Sequence, residues 1–223
     1  PEALSQLAEI TEDGSDSGDA MIRVIKSDDH GTARWIVLIP SVWPWLSEQD
    51  RNTDGTCLAE PGDRRSSLET AVTEAMRQAG IGLDDQVMLA GFSLGGTTAA
   101  RLAADRSFTS TYHVTAVFTA GSPVARIHIS DGVQVLSIEH EDDSTPQLDD
   151  QDNPDRANWT TVIGSTPNLP GPAILPGDIE GYVSTTASVL LSGDASVDYY
   201  LTQVKPFLEG DQTAADYRAT RTR

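Results

Sequence analysis

The chain has 223 residues, with 34 acidic against 15 basic side chains and a formal net charge of −19. Apolar residues make up 38%, and 18 glycines raise that to the share of an ordinary globular chain, which excludes wholesale disorder and a collagen-like repeat. The lone Cys57 excludes an intrachain disulfide, and the acidity argues against nucleic acid and anionic membrane surfaces, which both need a basic footprint.

The length fits one domain. No apolar run approaches the roughly 18 residues of a membrane span. No basic n-region followed by an apolar h-region opens the chain, so no targeting signal is read. A start at Pro1 is compatible with a trimmed leader. A cytoplasmic setting is favoured, with secretion as the alternative.

In chain order, residues 3–10 read as a short helix, and Thr11 to Asp19 as a Gly/Ser/Asp-rich linker. Met21–Lys26 alternates like a strand, and Trp35–Ile39 is a continuous apolar run suited to a strand buried on both faces. Pro40 ends it. Residues 47–63 read as a polar loop. Leu68, Val72 and Met76 recur at fourfold spacing before Gly80, which predicts an amphipathic helix over 64–79. Gln86–Ala90 is a strand, and Thr97–Asp105 an Ala-rich helix. Val114–Thr119, Val133–Ile138 and Trp159–Ile163 are further strands. Residues 164–178 read as a Pro/Gly-rich loop. Ile179–Leu191 and Val197–Leu208 read as closing helices, and the polar tail Asp211–Arg223 is expected to fray. Alternating strands and helices predict an α/β fold, a mostly parallel sheet flanked by helices. Three segments follow: 1–19 as helix and linker, 20–210 as the α/β domain, and 211–223 as a tail. Ligands on such a sheet sit at the carboxyl ends of its strands.

That edge carries Gly91-Phe92-Ser93-Leu94-Gly95, a G-x-S-x-G match. The motif is weak alone. Here a strand precedes it and a helix follows at once, which is the context it requires. A sharp turn holding Ser93 in strain demands small residues at −2 and +2, and the hydroxyl then stands at a helix N-terminus that favours developing negative charge.

With these residues the chain resembles the α/β-hydrolase superfamily, in particular short bacterial lipase- or esterase-like members, over about residues 20–210. The stretches that carry the likeness are QVMLAGFSLGG, FTAGSP and VLSIEHEDDSTPQL. No insertion before the elbow suits a large cap domain. The resemblance implies Ser93 as nucleophile and Asp143 as the acid, placed by its spacing to Pro146, with Asp142 as the fallback. A solvated acidic loop is the plain alternative, since residues 139–155 hold eight acids and no Lys or Arg. Asp150, Asp152 and Asp155 offer oxygens to Ca²⁺ but lack the EF-hand glycine and terminal glutamate, so no metal site is assigned. No cofactor is implied.

Family order then demands a histidine after Asp143, and none follows: the last one is His140. Gly177 stands in the slot, to within a residue or two. His30, His113 and His128 are expected at turns and the wrong edge, and His140 too close to Asp143 in sequence to be oriented by it. The oxyanion hole is expected from the N–H groups of Leu94 and Val42, with Trp43 and Trp45 as an apolar wall for an acyl chain or simply a packed loop. Three readings stay open: an impaired hydrolase of carboxylic esters, an inactive relative that binds a small apolar ligand or a protein, and a structural domain that keeps its elbow for folding. The oligomeric state is left unassigned.

Overall fold

Trp35, Val37 and Ile39 face one side of strand β2 (Thr32–Ile39), Ile36 and Leu38 the other, and all five are buried. A strand covered on both faces needs two helical layers, and the computed structural model supplies them. It describes residues 5–11, 19–41, 65–168 and 173–220.

β2 belongs to a seven-stranded sheet with β1 (Ala20–Asp29), β3 (Gln86–Phe92), β4 (His113–Ala120), β5 (Gln134–His140), β6 (Trp159–Gly164) and β7 (Asp211–Ala219), in the order β6-β5-β4-β3-β2-β1-β7. β2 to β6 run parallel, and β1 is antiparallel to both its neighbours. This is an α/β fold with a mostly parallel sheet, as the alternation of elements predicts.

Helix α1 (residues 5–11) packs on one face of the sheet through Leu7 and Ile10. On the opposite face lie α2 (Ser67–Ala79) and α3 (Leu94–Ala104), followed by the short α4 (Arg106–Thr109). Leu68, Val72 and Met76 are the stripe that α2 buries. A reciprocal capping box opens α2: Glu69 N–H donates to Ser66 Oγ at 3.1 Å, and Ser66 N–H donates to Glu69 Oε2 at 2.7 Å. The second Glu69 oxygen accepts from Arg101 Nε at 2.7 Å, fastening α2 to α3. The first layer is completed by α5 (Ile179–Val189) and α6 (Ala195–Leu208).

The tail corrects an expectation. Residues 211–219 do not fray; they form β7, paired with residues 20–28 of β1. Most of its side chains are exposed because the strand lies at a sheet edge, where backbone pairing holds it together with Tyr217 and Ala219, which pack against the core. Arg23 grips Asp216 through two bonds of 2.7 and 2.8 Å, and the Ser27 hydroxyl donates to the Glu209 carbonyl just before the strand. Helix α3 begins at Leu94 rather than Thr97, because the elbow itself is its N-terminus. The expected linker falls largely, and the 47–63 loop wholly, outside the described residues. Among the described residues, no helix is long and apolar enough to cross a membrane.

Candidate active site

β3 runs straight into the turn at Ser93, whose backbone sits at φ 51° and ψ −121°. That conformation is strained for any residue with a Cβ, and the surroundings enforce it. A Cβ on Gly91 would stand 2.2 Å from the Gly95 carbonyl carbon, and one on Gly95 would stand 2.1 Å from the Ile39 carbonyl oxygen. The elbow is therefore wedged against the end of β2, and only glycine fits at both flanks. Ser93 N–H donates to Ala120 O at 2.8 Å, which anchors the turn to β4. The residue is 7% exposed, and its hydroxyl caps no helical N–H. Leu94 N–H is the first of α3, among the donors that a helix leaves without an intrahelical acceptor.

Asp143 follows β5 and is 4% exposed. Its Oδ1 accepts from Thr145 N–H at 2.9 Å and its Oδ2 from the Tyr182 hydroxyl at 2.8 Å. Tyr182, fully buried on α5, also accepts from His140 N–H at 3.3 Å. Burial first, and donation to Asp143 second, raise its phenol far above the ordinary range, so it stays a donor. Asp142 is different. Its Oδ1 takes Thr166 N–H at 3.0 Å on the exposed side, and that bond holds its carboxyl below the usual value.

Gly177 lies in the turn before α5, at φ 86°. A Cβ there would meet the Asp143 carboxyl group, 3.4 Å from Oδ1 and 3.7 Å from Oδ2. The position expected to hold a histidine thus faces the acid and carries no side chain. No hydrogen bond joins any of the four histidine rings to the Asp143 carboxyl group or the Ser93 hydroxyl. His30 is fully exposed in the β1–β2 turn. His113 opens β4 at the amino edge, exposed. His128 Nδ1 lies 3.0 Å from Arg156 Nη2. His140 ends β5 on the same face as Leu136 and Ile138, so strand alternation turns it into the helical layer. Its ring stacks on Tyr182 with centroids 4.0 Å apart, and its Nε2 lies 2.8 Å from Thr185 Oγ1. Burial lowers its pKa, against the pull of Asp142 and Asp143.

Sequence reasoning missed the Asp143–Tyr182 bond. Thirty-nine residues separate the partners, and the only sequence signal was a tyrosine shortly after the histidine slot. Val42, Trp43 and Trp45 lie outside the described residues. The acidic loop gathers no ion-binding set: among the described residues, no group of three His, Cys, Asp or Glu side chains is placed to hold a metal. Instead Glu139, pushed up to about 7 chiefly by burial, accepts from Asn153 Nδ2 at 2.5 Å, and Asp149 Oδ2 accepts from Ala125 N–H at 2.7 Å.

No protein-family model and no curated protein matches the chain. Among solved structures, the chain is similar to the Lip2 lipase from Yarrowia lipolytica, at 16% identity and a TM-score of 0.31, over 59% of this chain and 57% of that one. The likeness thus spans little more than half of that lipase. A likeness this slight says nothing of what the chain acts on.

Proposed function

We propose that the chain is a serine-hydrolase-type protein of the lipase or esterase kind, directed at carboxylic esters, whose turnover is impaired by the loss of its base. Ser93 is the nucleophile, Leu94 N–H and Val42 N–H are the oxyanion donors, and Asp143 is the acid left without an imidazole to orient. Trp43 and Trp45 form the wall for an acyl chain. Residues 20–210 are the hydrolase-like unit, with β7 added at its edge. The observation that carries the reading is the empty Cβ direction of Gly177, which meets the buried Asp143 carboxylate while Ser93 keeps its strained elbow.

Without an imidazole the Ser93 hydroxyl stays protonated near pH 7 and attacks poorly. Loss of the histidine in a serine protease lowers turnover by about a millionfold. The oxyanion donors alone leave a residual ~10³–10⁴ over water. The test is hydrolysis of p-nitrophenyl acetate by the purified chain beside Ser93→Ala, with and without millimolar imidazole. Negligible turnover that imidazole raises only in the chain with Ser93 supports the reading. Robust turnover without imidazole, abolished by Ser93→Ala, overturns the impairment and shows that a base reaches Ser93 by another route.

One observation favours a second reading, an inactive scaffold that binds rather than cleaves. Both Asp143 oxygens already hold inward donors, Thr145 N–H and the Tyr182 hydroxyl, so the acid has a structural task. If so, imidazole changes nothing and a fluorophosphonate leaves Ser93 unlabelled.

A further inference from the structure

The sheet has two outer edges, and they are built differently. β7 closes one of them with Asp211, Asp216 and Arg218 along its length, and charge of this kind guards an edge against pairing with another chain. β6 closes the other with Trp159-Thr160-Thr161-Val162-Ile163-Gly164. It holds no charge and no proline, and up to its final glycine it consists of β-branched and aromatic residues, those that favour a strand.

Register decides where the backbone of β6 points. Val135 N–H donates to Asn158 O and Glu141 N–H to Gly164 O, both at 2.8 Å, and the pairing between them runs without a shift. Alternation therefore turns the peptide groups of Thr160 and Val162 toward β5 and those of Thr161 and Ile163 outward. Among the described residues, nothing hydrogen-bonds the outward N–H and C=O of Thr161 and Ile163. The Ile163 side chain stands beside these groups, 61% exposed, on the same face as Thr161.

Both ends of this edge are acidic. At the carboxyl end, exposed Glu141 adjoins Gly164 through the bond just given, and exposed Asp142 accepts from Thr166 N–H at 3.0 Å. At the amino end, Arg156 O accepts from Trp159 N–H at 3.0 Å. Exposed Asp155 precedes Arg156 in the chain, and exposed Asp131 lies 3.5 Å from its Nη1. Arg156 is the only Lys or Arg between Arg126 and Lys205.

We propose that the outer edge of β6 is a docking site for an extended peptide segment of a partner protein, β-branched in its middle and carrying Lys or Arg at both ends. The segment adds an eighth strand. Its backbone bonds Thr161 and Ile163, its central side chains cover Ile163, and its basic ends meet Glu141 and Asp142 on one side and Asp131 and Asp155 on the other. A second copy of this chain is the poorer occupant. It brings its own charge of −19, and an antiparallel β6–β6 pair sets the acids of one end against those of the other. The proposal does not depend on the reading of Ser93, and binding at this edge and ester turnover at the elbow succeed or fail separately.

The experiment is fluorescence anisotropy with the whole chain and three capped, tagged heptapeptides, in one-letter code RVTVTVR, EVTVTVE and RPGPGPR. The last matches the charge of the first but cannot form a strand. Two variants accompany the parent, their folds checked by circular dichroism. Ile163→Pro removes an N–H that points away from β5, a place where a sheet edge tolerates proline. Ile163→Lys sets a guarding charge on the same exposed position. The expected result is saturable RVTVTVR binding, about tenfold weaker for EVTVTVE, in either folded variant and at 1 M NaCl, with no saturable binding of RPGPGPR. Four outcomes would each overturn the proposal: RPGPGPR binding as tightly as RVTVTVR, unchanged RVTVTVR affinity in a folded variant, no RVTVTVR binding at millimolar chain, or self-association of the parent that Ile163→Pro abolishes.

Discussion

A side chain at Gly177 would begin 3.4 Å from Asp143 Oδ1, although the two positions are 34 apart in the sequence. The two positions converge because β5 delivers Asp143 to the carboxyl edge of the sheet and the turn before α5 passes across it. The contact is ordinary van der Waals distance, so a Cβ fits against the carboxyl group, on a backbone that a side chain strains.

That relationship makes Gly177→His the most direct test of the site. The backbone there is left-handed, which costs a histidine about 1 kcal/mol, and histidine is among the side chains more tolerant of that region. An added general base contributes at least about 10²-fold. We expect p-nitrophenyl acetate hydrolysis to rise by roughly that factor over the parent chain, and the gain to vanish in Gly177→His/Ser93→Ala. No gain in a folded variant would count against the slot.

Tyr182→Phe keeps the ring against His140 and Phe92 but removes the donor on Asp143 Oδ2. A buried carboxylate that loses a donor costs about 1–3 kcal/mol. Urea unfolding should show that loss as a lower midpoint with an unchanged slope. An unchanged midpoint would mean that the bond contributes nothing to the fold.

The Glu139 carboxyl, held by burial at about 7 against an ordinary 4.5, binds its proton more tightly in the folded state. The folded chain therefore holds more protons between those two values. Its stability falls as pH rises through that window and levels off above it. Glu139→Gln should flatten this slope. His140, lowered by burial, pulls the opposite way on acidification, so the comparison is the difference between parent and variant melting curves. Parallel curves from pH 4.5 to 8 would refute the role of Glu139.

A net charge of −19 on a chain of this length repels itself. Raising NaCl from 0.1 to 1 M shortens the screening length from about 10 Å to about 3 Å. The melting temperature should therefore rise with NaCl, even though exposed pairs such as Arg77–Glu74 weaken. A falling melting temperature would show that those pairs outweigh the repulsion.

The sequence by itself determined the layers and the elbow. Whether β2 is covered on one face or both is written in five consecutive apolar residues, and the need for glycine around Ser93 is a local steric matter. The absence of a histidine after Asp143 is likewise a fact of order along the chain. What faces the acid was decided only by tertiary structure, because Tyr182 and Gly177 reach Asp143 through the docking of α5 on β5, and no local pattern encodes that approach. The removal of His140 from the site also followed from β5 continuing two residues past Ile138, so that its alternation carried the ring inward. The tail looked unstructured for the same reason. Its order comes from backbone bonds to the free edge of β1, from Arg23 across the strand and from Tyr217 and Ala219 against the core, and backbone bonds themselves leave no pattern in the side chains, so only that short apolar pair was legible.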